Sequence, residues 1–324
     1  MELSPFGRSR LPVTRLGLGL AALGRPGYLN IGHADDLRHE YDVAVMEHRC
    51  HEVLDRAFFA GVRYVDVARS YGRGEEFLAS WIAARQLHPG AITIGSKWGY
   101  TYTAGWQALA EKHEVKDHSL ATLERQLAES RAILGASFSL YHIHSATLES
   151  GVLDDTRVLD ALARLRAGGL AVGLSVSGPR QAEVIRRALA VERDGVALFD
   201  SVQATWNLLE RSAGDALAEA HAQGVGVIVK EGLANGRLTV RGHDDKAALL
   251  RDEATRLQVP PDALALAAAL AQPWANVVLS GAATVAQLDD NLASLRVPYD
   301  AERLAALRET PETYWTTRSS LGWS

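Results

Sequence analysis

The sequence predicts a (β/α)₈ barrel of the TIM type, a single domain over residues 1–324 with long loops at the C-terminal face of the barrel. Three observations carry this. Short apolar runs rich in β-branched and aromatic residues recur along the chain, and most end on a polar residue. Amphipathic helical stripes separate them, and no Pro/Ser-rich linker or block of like charge interrupts the series. Runs that are apolar on both faces are parallel strands covered on both sides, and parallel neighbours need crossover helices.

Taken in order, the first strand is expected at residues 15–19, and the others at 61–66, 91–97, 138–144, 170–175, 198–203, 225–230 and 275–280. That makes eight units, the number that closes a barrel. Helical stripes lie between them: Val53, Leu54, Ala57 and Phe58; Leu120, Leu123, Leu127 and Leu134; Val158, Leu159, Leu162 and Leu165; Val184, Ile185, Ala188 and Leu189. Three long loops, 24–48, 98–117 and 231–260, each follow a strand and are expected to project from the face where barrel enzymes do chemistry. A helix at 301–308 and a tail with Tyr314, Trp315 and Trp323 are expected to close the chain. A Rossmann alternative rests on Gly17, Gly19 and Ala22, which fit the dinucleotide fingerprint in letters. Gly24, Pro26 and Gly27 break the helix that should begin there, so the barrel is preferred.

Composition bounds the function. With 47% hydrophobic and 23% charged residues the chain reads as an ordinary soluble globular protein, and a net charge of -5 gives no reason to expect nucleic acid or an anionic membrane as partner. The lone Cys50 excludes an intrachain disulfide framework and a multi-cysteine zinc site, which fits a reducing, cytoplasmic setting. No basic region followed by an apolar run opens the sequence, and no apolar stretch approaches the ~20 residues of a membrane span. A small-molecule substrate is the expected partner, with monomer and homo-oligomer both open.

If the strands close into a barrel, Asp66, Lys97, His144, Ser175, Gln203 and Lys230 line one rim. Strand ends are also where water begins, so each of these alone says little; an acid, an amine, an imidazole, a hydroxyl and an amide together say more. Tyr71 falls in the Gly-containing loop after Asp66. A phenol is a useful acid near neutrality when a cation pulls down its pKa of ~10. Lys97 is the expected cation, Asp66 its anchor, and His144 the donor that orients a carbonyl. Such a set suits proton delivery to an oxygen that gains charge as a hydride adds; nothing in it activates water. His142 and His144, two apart on a strand, invite a metal-hydrolase reading, but Ser175, Gln203 and Ser280 stand where further ligands would be needed, so no metal is expected.

On these residues the chain resembles the aldo-keto reductase superfamily over essentially its whole length. The run Asp66-Val-Ala-Arg-Ser-Tyr71-Gly72 is similar to that family's Asp/Tyr signature, Gly95-Ser-Lys97 to its lysine strand, and Leu140-Tyr-His-Ile-His144 to its histidine strand. The resemblance implies NAD(P)(H)-dependent carbonyl reduction or alcohol oxidation, with Tyr71 as general acid or base. It also implies cofactor contacts: Ser175 at the family's serine position, Gln203 at the carboxamide, Trp206 near the ring, Gly232, Leu233, Asn235 and Gly236 along the pyrophosphate, and Gly281, Thr284, Gln287 and Asn291 at the adenosine phosphate. Val176 replaces the usual asparagine, Trp206 the usual tyrosine, and Lys230-Glu231 the usual Ser-Pro. NADP(H) is the family default, yet Ala282 and Ala283 stand where many NADP-preferring members carry a basic group, so NAD(H) or dual use stays open. A nucleotide-binding regulatory subunit similar to the potassium-channel beta subunits is the alternative. The aromatics Tyr28, Trp98, Tyr100, Tyr102 and Trp106 either wall a substrate pocket or pack their own loops.

Overall fold

The computed structural model describes residues 1–323. Parallel strands β1 Leu16–Gly19, β2 Tyr64–Asp66, β3 Thr93–Trp98, β4 Phe138–Ala146, β5 Ala171–Val176, β6 Ser201–Thr205, β7 Gly226–Lys230 and β8 Val277–Ser280 close into a barrel. They pair in chain order, and β8 returns to β1 with Leu279 opposite Gly17. Each lies where the sequence predicts it, with ends displaced by at most three residues.

Helices α1 Val43–Phe59, α2 Gly74–Ala84, α3 Leu120–Leu134, α4 Thr156–Ala167, α5 Gln181–Leu189, α6 Gly214–Ala222, α7 Asp245–Leu257, α8 Pro261–Leu270, α9 Val285–Ala293 and α10 Pro311–Ser320 follow the strands. Side chains of Asp42, Ser119, Asp155, Asp244, Thr284 and Thr310 accept the first free N–H groups of their helices and fix where those helices start. The helical stripes bury against the outer face of the barrel: Val53, Leu54 and Ala57 meet Leu18, Val65 and Ile94 on one side, and Leu162, Ile185 and Leu217 join Val172, Val202 and Val227 on the other.

An N-terminal hairpin, Ser4–Phe6 paired with Leu11–Val13, plugs the barrel at the N-terminal ends of its strands. Phe6 and Val13 pack there with Tyr64, Leu140, Ile228 and Val277. Gly226 opens β7 against this plug, where a Cβ would stand 2.6 Å from the Phe6 ring. That end being filled, ligand access is left to the opposite face.

The long loops are more ordered than expected. Residues 98–117 form a hairpin, Tyr100–Tyr102 against Glu114–Lys116, and the stretch 231–260 contains the whole of α7. The helix expected at 301–308 is a correction. Asp300 Oδ1 accepts from the N–H of Glu302 at 3.0 Å, a local turn that competes with a helix, and only a 3₁₀ turn, Ala305–Leu307, follows. The helix comes later, as α10, where Thr310 caps and Pro311 takes the first turn.

Candidate active site

Register assembles the site. Asp66 pairs with Gly95, so Lys97 stands two residues further along β3 on the same face, and Lys97 pairs with His142, which puts His144 two further along β4. The ladder between β4 and β5 then slips between Ile143 and Ala146, with Ser145 at φ 51°, a bulge that frees His144 from pairing at the rim. Tyr71 follows β2 in a tight turn closed by its own N–H on the Ala68 carbonyl at 3.0 Å.

The expected tetrad is brought together. Lys97 Nζ is hydrogen-bonded to Asp66 Oδ1, and donates to the Val67 carbonyl at 3.1 Å and to Tyr71 Oη at 3.3 Å. Asp66 Oδ2 accepts from Gln203 Nε2 at 2.8 Å and from Tyr64 Oη at 3.3 Å. The Tyr71 and His144 rings meet edge to face at 5.6 Å, and His144 Nδ1 lies 3.4 Å from Ser70 Oγ.

One electrostatic expectation is corrected. Burial first, and the Asp66 carboxylate second, raise the Tyr71 pKa well above that of a free phenol. Arg25, whose guanidinium lies 5.2 Å from the Tyr71 ring centroid, acts against this without overcoming it. The phenol therefore keeps its proton. His144 is held well below the ordinary imidazole pKa by burial and by Lys97, so it is neutral.

A cavity of about 740 Å³ opens from this point. It is lined by Asp66, Tyr71, His144 and Gln203 at one part, by Gly232, Leu233, Asn235 and Gly236 along the strap after β7, and by Gly281 before α9 with Gln287 and Asn291 on it. Ser175, Trp206 and Thr284 do not line it. Ser175 Oγ instead accepts the Ser145 N–H at 2.8 Å and so braces the bulge. Trp206, expected near a nicotinamide ring, is buried in the core and lies edge-on to Trp274 at 5.7 Å. Thr284 caps α9 through the Gln287 N–H at 3.2 Å. The aromatics divide. Tyr28 and Tyr100 line the cavity, whereas Trp98 is buried in the core and Trp106 donates to the Tyr41 carbonyl at 2.6 Å.

The sequence assigned no role to several of the lining residues. Arg25 pairs with Glu114 at 2.9 Å and lies under Trp323, 4.8 Å from its ring centroid. Glu231, at φ 56°, receives Arg318 from α10 through two nitrogens, at 2.9 and 2.5 Å, and Thr205 Oγ1 at 3.0 Å. Burial would raise its pKa; Arg318 and Lys230 overcome this and hold it at about 2. Lys230 donates to Thr205 Oγ1 at 2.8 Å and lies 3.6 Å from Glu231. Distance in sequence hides these pairs: 89 residues separate Arg25 from Glu114, and 87 separate Arg318 from Glu231.

Fold and rim together define a (β/α)₈ barrel with a buried acid and amine, and a half-buried phenol and imidazole, at its C-terminal mouth. The aldo/keto reductase family model matches residues 15–312, and the chain belongs to that family of oxidoreductases. It is similar to the uncharacterized oxidoreductase YqkF of Bacillus subtilis, 23% identical over 315 residues and 90% of each chain. It is also similar to protein tas of Escherichia coli, 24% identical over 97% of this chain and 99% of that one. Among solved structures, the holo form of aldo-keto reductase AKR11C1 from Bacillus halodurans superposes with a TM-score of 0.71 at 21% identity, covering 96% of this chain and 97% of the other.

Proposed function

We propose that this chain is a nicotinamide-dependent oxidoreductase that moves a hydride between NAD(P)(H) and a small carbonyl or alcohol, with Tyr71 as general acid or base. The observation that supports it is the part-buried contact of Tyr71 Oη with Lys97 Nζ at 3.3 Å, beside Asp66 and His144. The cavity residues fit a dinucleotide. Asn235 and Asn291 each present a buried, unpartnered Oδ1 there, and no atom within 4 Å would meet a Cβ on Gly281. Gln203, Gly232, Leu233, Asn235, Gly236, Gly281, Gln287 and Asn291 would hold it. When bound, the nicotinamide supplies or accepts the hydride.

The protein's own groups manage the proton and the oxygen. His144, neutral and engaged at Nδ1 by Ser70, offers an N–H that orients the carbonyl oxygen. Tyr71 holds its proton until negative charge develops on that oxygen, then releases it. Lys97 stabilises the phenolate so formed, and Asp66 keeps the ammonium aimed. Tyr28, Tyr100 and Trp323 wall the space beside these groups, where the substrate would lie.

The test is Tyr71→Phe, assayed with NADH and NADPH across aldehydes, ketones and sugars. Loss of turnover by about 10²–10⁴-fold with cofactor affinity retained is expected. Near-normal kcat in the variant would defeat the assignment. Bound nucleotide with no turnover on any substrate by the unmodified chain would favour the regulatory-subunit alternative.

A further inference from the structure

The part of the cavity formed by Val240, Arg241, Asp262 and the start of α9 has an unusual charge arrangement. Asp262, in the first turn of α8, and Asp290, on α9, both line it, and Asp262 feels the charge of Asp290. Arg241 is the single lysine or arginine among the described lining residues there, and it is committed elsewhere. It pairs with both carboxylate oxygens of Asp36, one at 2.8 Å, and donates to the carbonyls of Ile31 at 3.1 Å and Gly32 at 3.2 Å. The other cations of the cavity, Arg25, Lys230 and Arg318, sit with Tyr71, His144 and Glu231.

The start of α9 is also occupied by its own side chains. Gln287 Oε1 accepts the Ala283 N–H at 2.9 Å, and Thr284 Oγ1 takes the Gln287 N–H. Ala282 contributes only a methyl group to the wall, and Ala283 is buried away from it, so neither offers a charge to a ligand. A ribose 2'-phosphate brought here would meet two carboxylates and no uncommitted guanidinium. A ribose with free hydroxyls would find acceptors, the arrangement by which an acidic side chain reads a 2'-hydroxyl in other dinucleotide sites.

We propose that Asp262 and Asp290 are selectivity residues that fit this chain to NAD(H) in preference to NADP(H). The inference rests on the dinucleotide reading above, with adenosine at α9. Binding alone tests it, by fluorescence titration of the full chain with NADH, NADPH, ADP-ribose and 2'-phospho-ADP-ribose. Both unphosphorylated ligands should bind at least about tenfold more tightly than their phosphorylated counterparts. The Asp262→Asn/Asp290→Asn double variant should bring both ratios toward one, and Gln287→Arg, at a position that lines the cavity, should improve NADPH binding. NADPH binding as tight as NADH, or ratios unmoved in variants that melt like the parent, would overturn the selectivity claim while leaving the function standing. Failure of all four ligands to bind would overturn the dinucleotide reading, and this inference with it.

Discussion

Asp66 carries a disproportionate share of the site. Its carboxylate is 3% exposed, and it joins Lys97, Gln203 and Tyr64 in one buried network. Breaking a buried ion pair from one side costs about 3–5 kcal/mol, because the charge left behind is neither paired nor solvated. Asp66→Asn should therefore lower stability by about 3 kcal/mol in urea unfolding and slow turnover together, whereas Tyr71→Phe should slow turnover with little loss of stability. Equal stability losses in the two variants would contradict this division. The pH behaviour follows from the same residues. Tyr71 is raised above the ordinary phenol value and His144 lowered below the ordinary imidazole value, so neither changes state between about pH 7 and 9. The kcat/KM for carbonyl reduction is expected to be flat across that interval, and a titration within it assigned to Tyr71 by loss in the Phe variant would refute a protonated phenol beside a neutral imidazole. These four residues were legible in the sequence because each ends, or closely follows, a strand whose apolar run announces it. Arg25, Glu231 and Arg318 were not, because an ion pair closed across a fold leaves no periodic trace in the chain.

Between residue and molecule, α10 decides how the mouth is covered. It carries Tyr314, which accepts from Asn207 Nδ2 at 3.1 Å, and Arg318, which grips Glu231 beside Lys230. Glu231, Ala234 and Asn235 all lie at positive φ, so the strap after β7 is held in a conformation that non-glycine residues seldom take. Removing the grip should loosen both elements. For Arg318→Ala, amide exchange across residues 311–320 and 231–236 is expected to quicken, with stability lower by about 3 kcal/mol, and the Glu231→Gln/Arg318→Met double variant should recover part of it. Unchanged exchange at 231–236 would show that the strap is held by other contacts. The strands and most helices were legible from periodicity and caps. The ordered hairpin of residues 100–116 was not, since short polar-aromatic strands do not differ from loop in composition, and the shift from 301–308 to α10 turned on one local competition at Asp300.

At the scale of the whole molecule, the barrel buries several histidines in neutral form, and this makes its stability depend on pH in a definite direction. Burial lowers His33 and His118 to about 4, and burial with the nearby Lys97 lowers His142 to about 3. His144 is lowered as well. Above the ordinary imidazole value of about 6.5 neither the folded nor the unfolded chain is charged at these positions, so they contribute no slope. As pH falls below it, the unfolded chain takes up protons that the folded chain refuses, and folding stability drops by up to about 1.4 kcal/mol per pH unit for each histidine until the folded values are reached. Asp262 works the other way. Its folded value is raised to about 6 by burial and by Asp290, so the folded chain binds that proton first and gains stability as pH falls through 6. One such carboxylate cannot offset four imidazoles, and Glu231, held at about 2, adds its own loss only below the ordinary carboxylate range. The urea midpoint is expected to be level from pH 8 to about 6.5 and to fall by several kcal/mol equivalent by about pH 5. A midpoint unchanged at pH 5 would mean that these imidazoles accept protons in the folded barrel, and the neutral donor assigned to His144 would lose its basis.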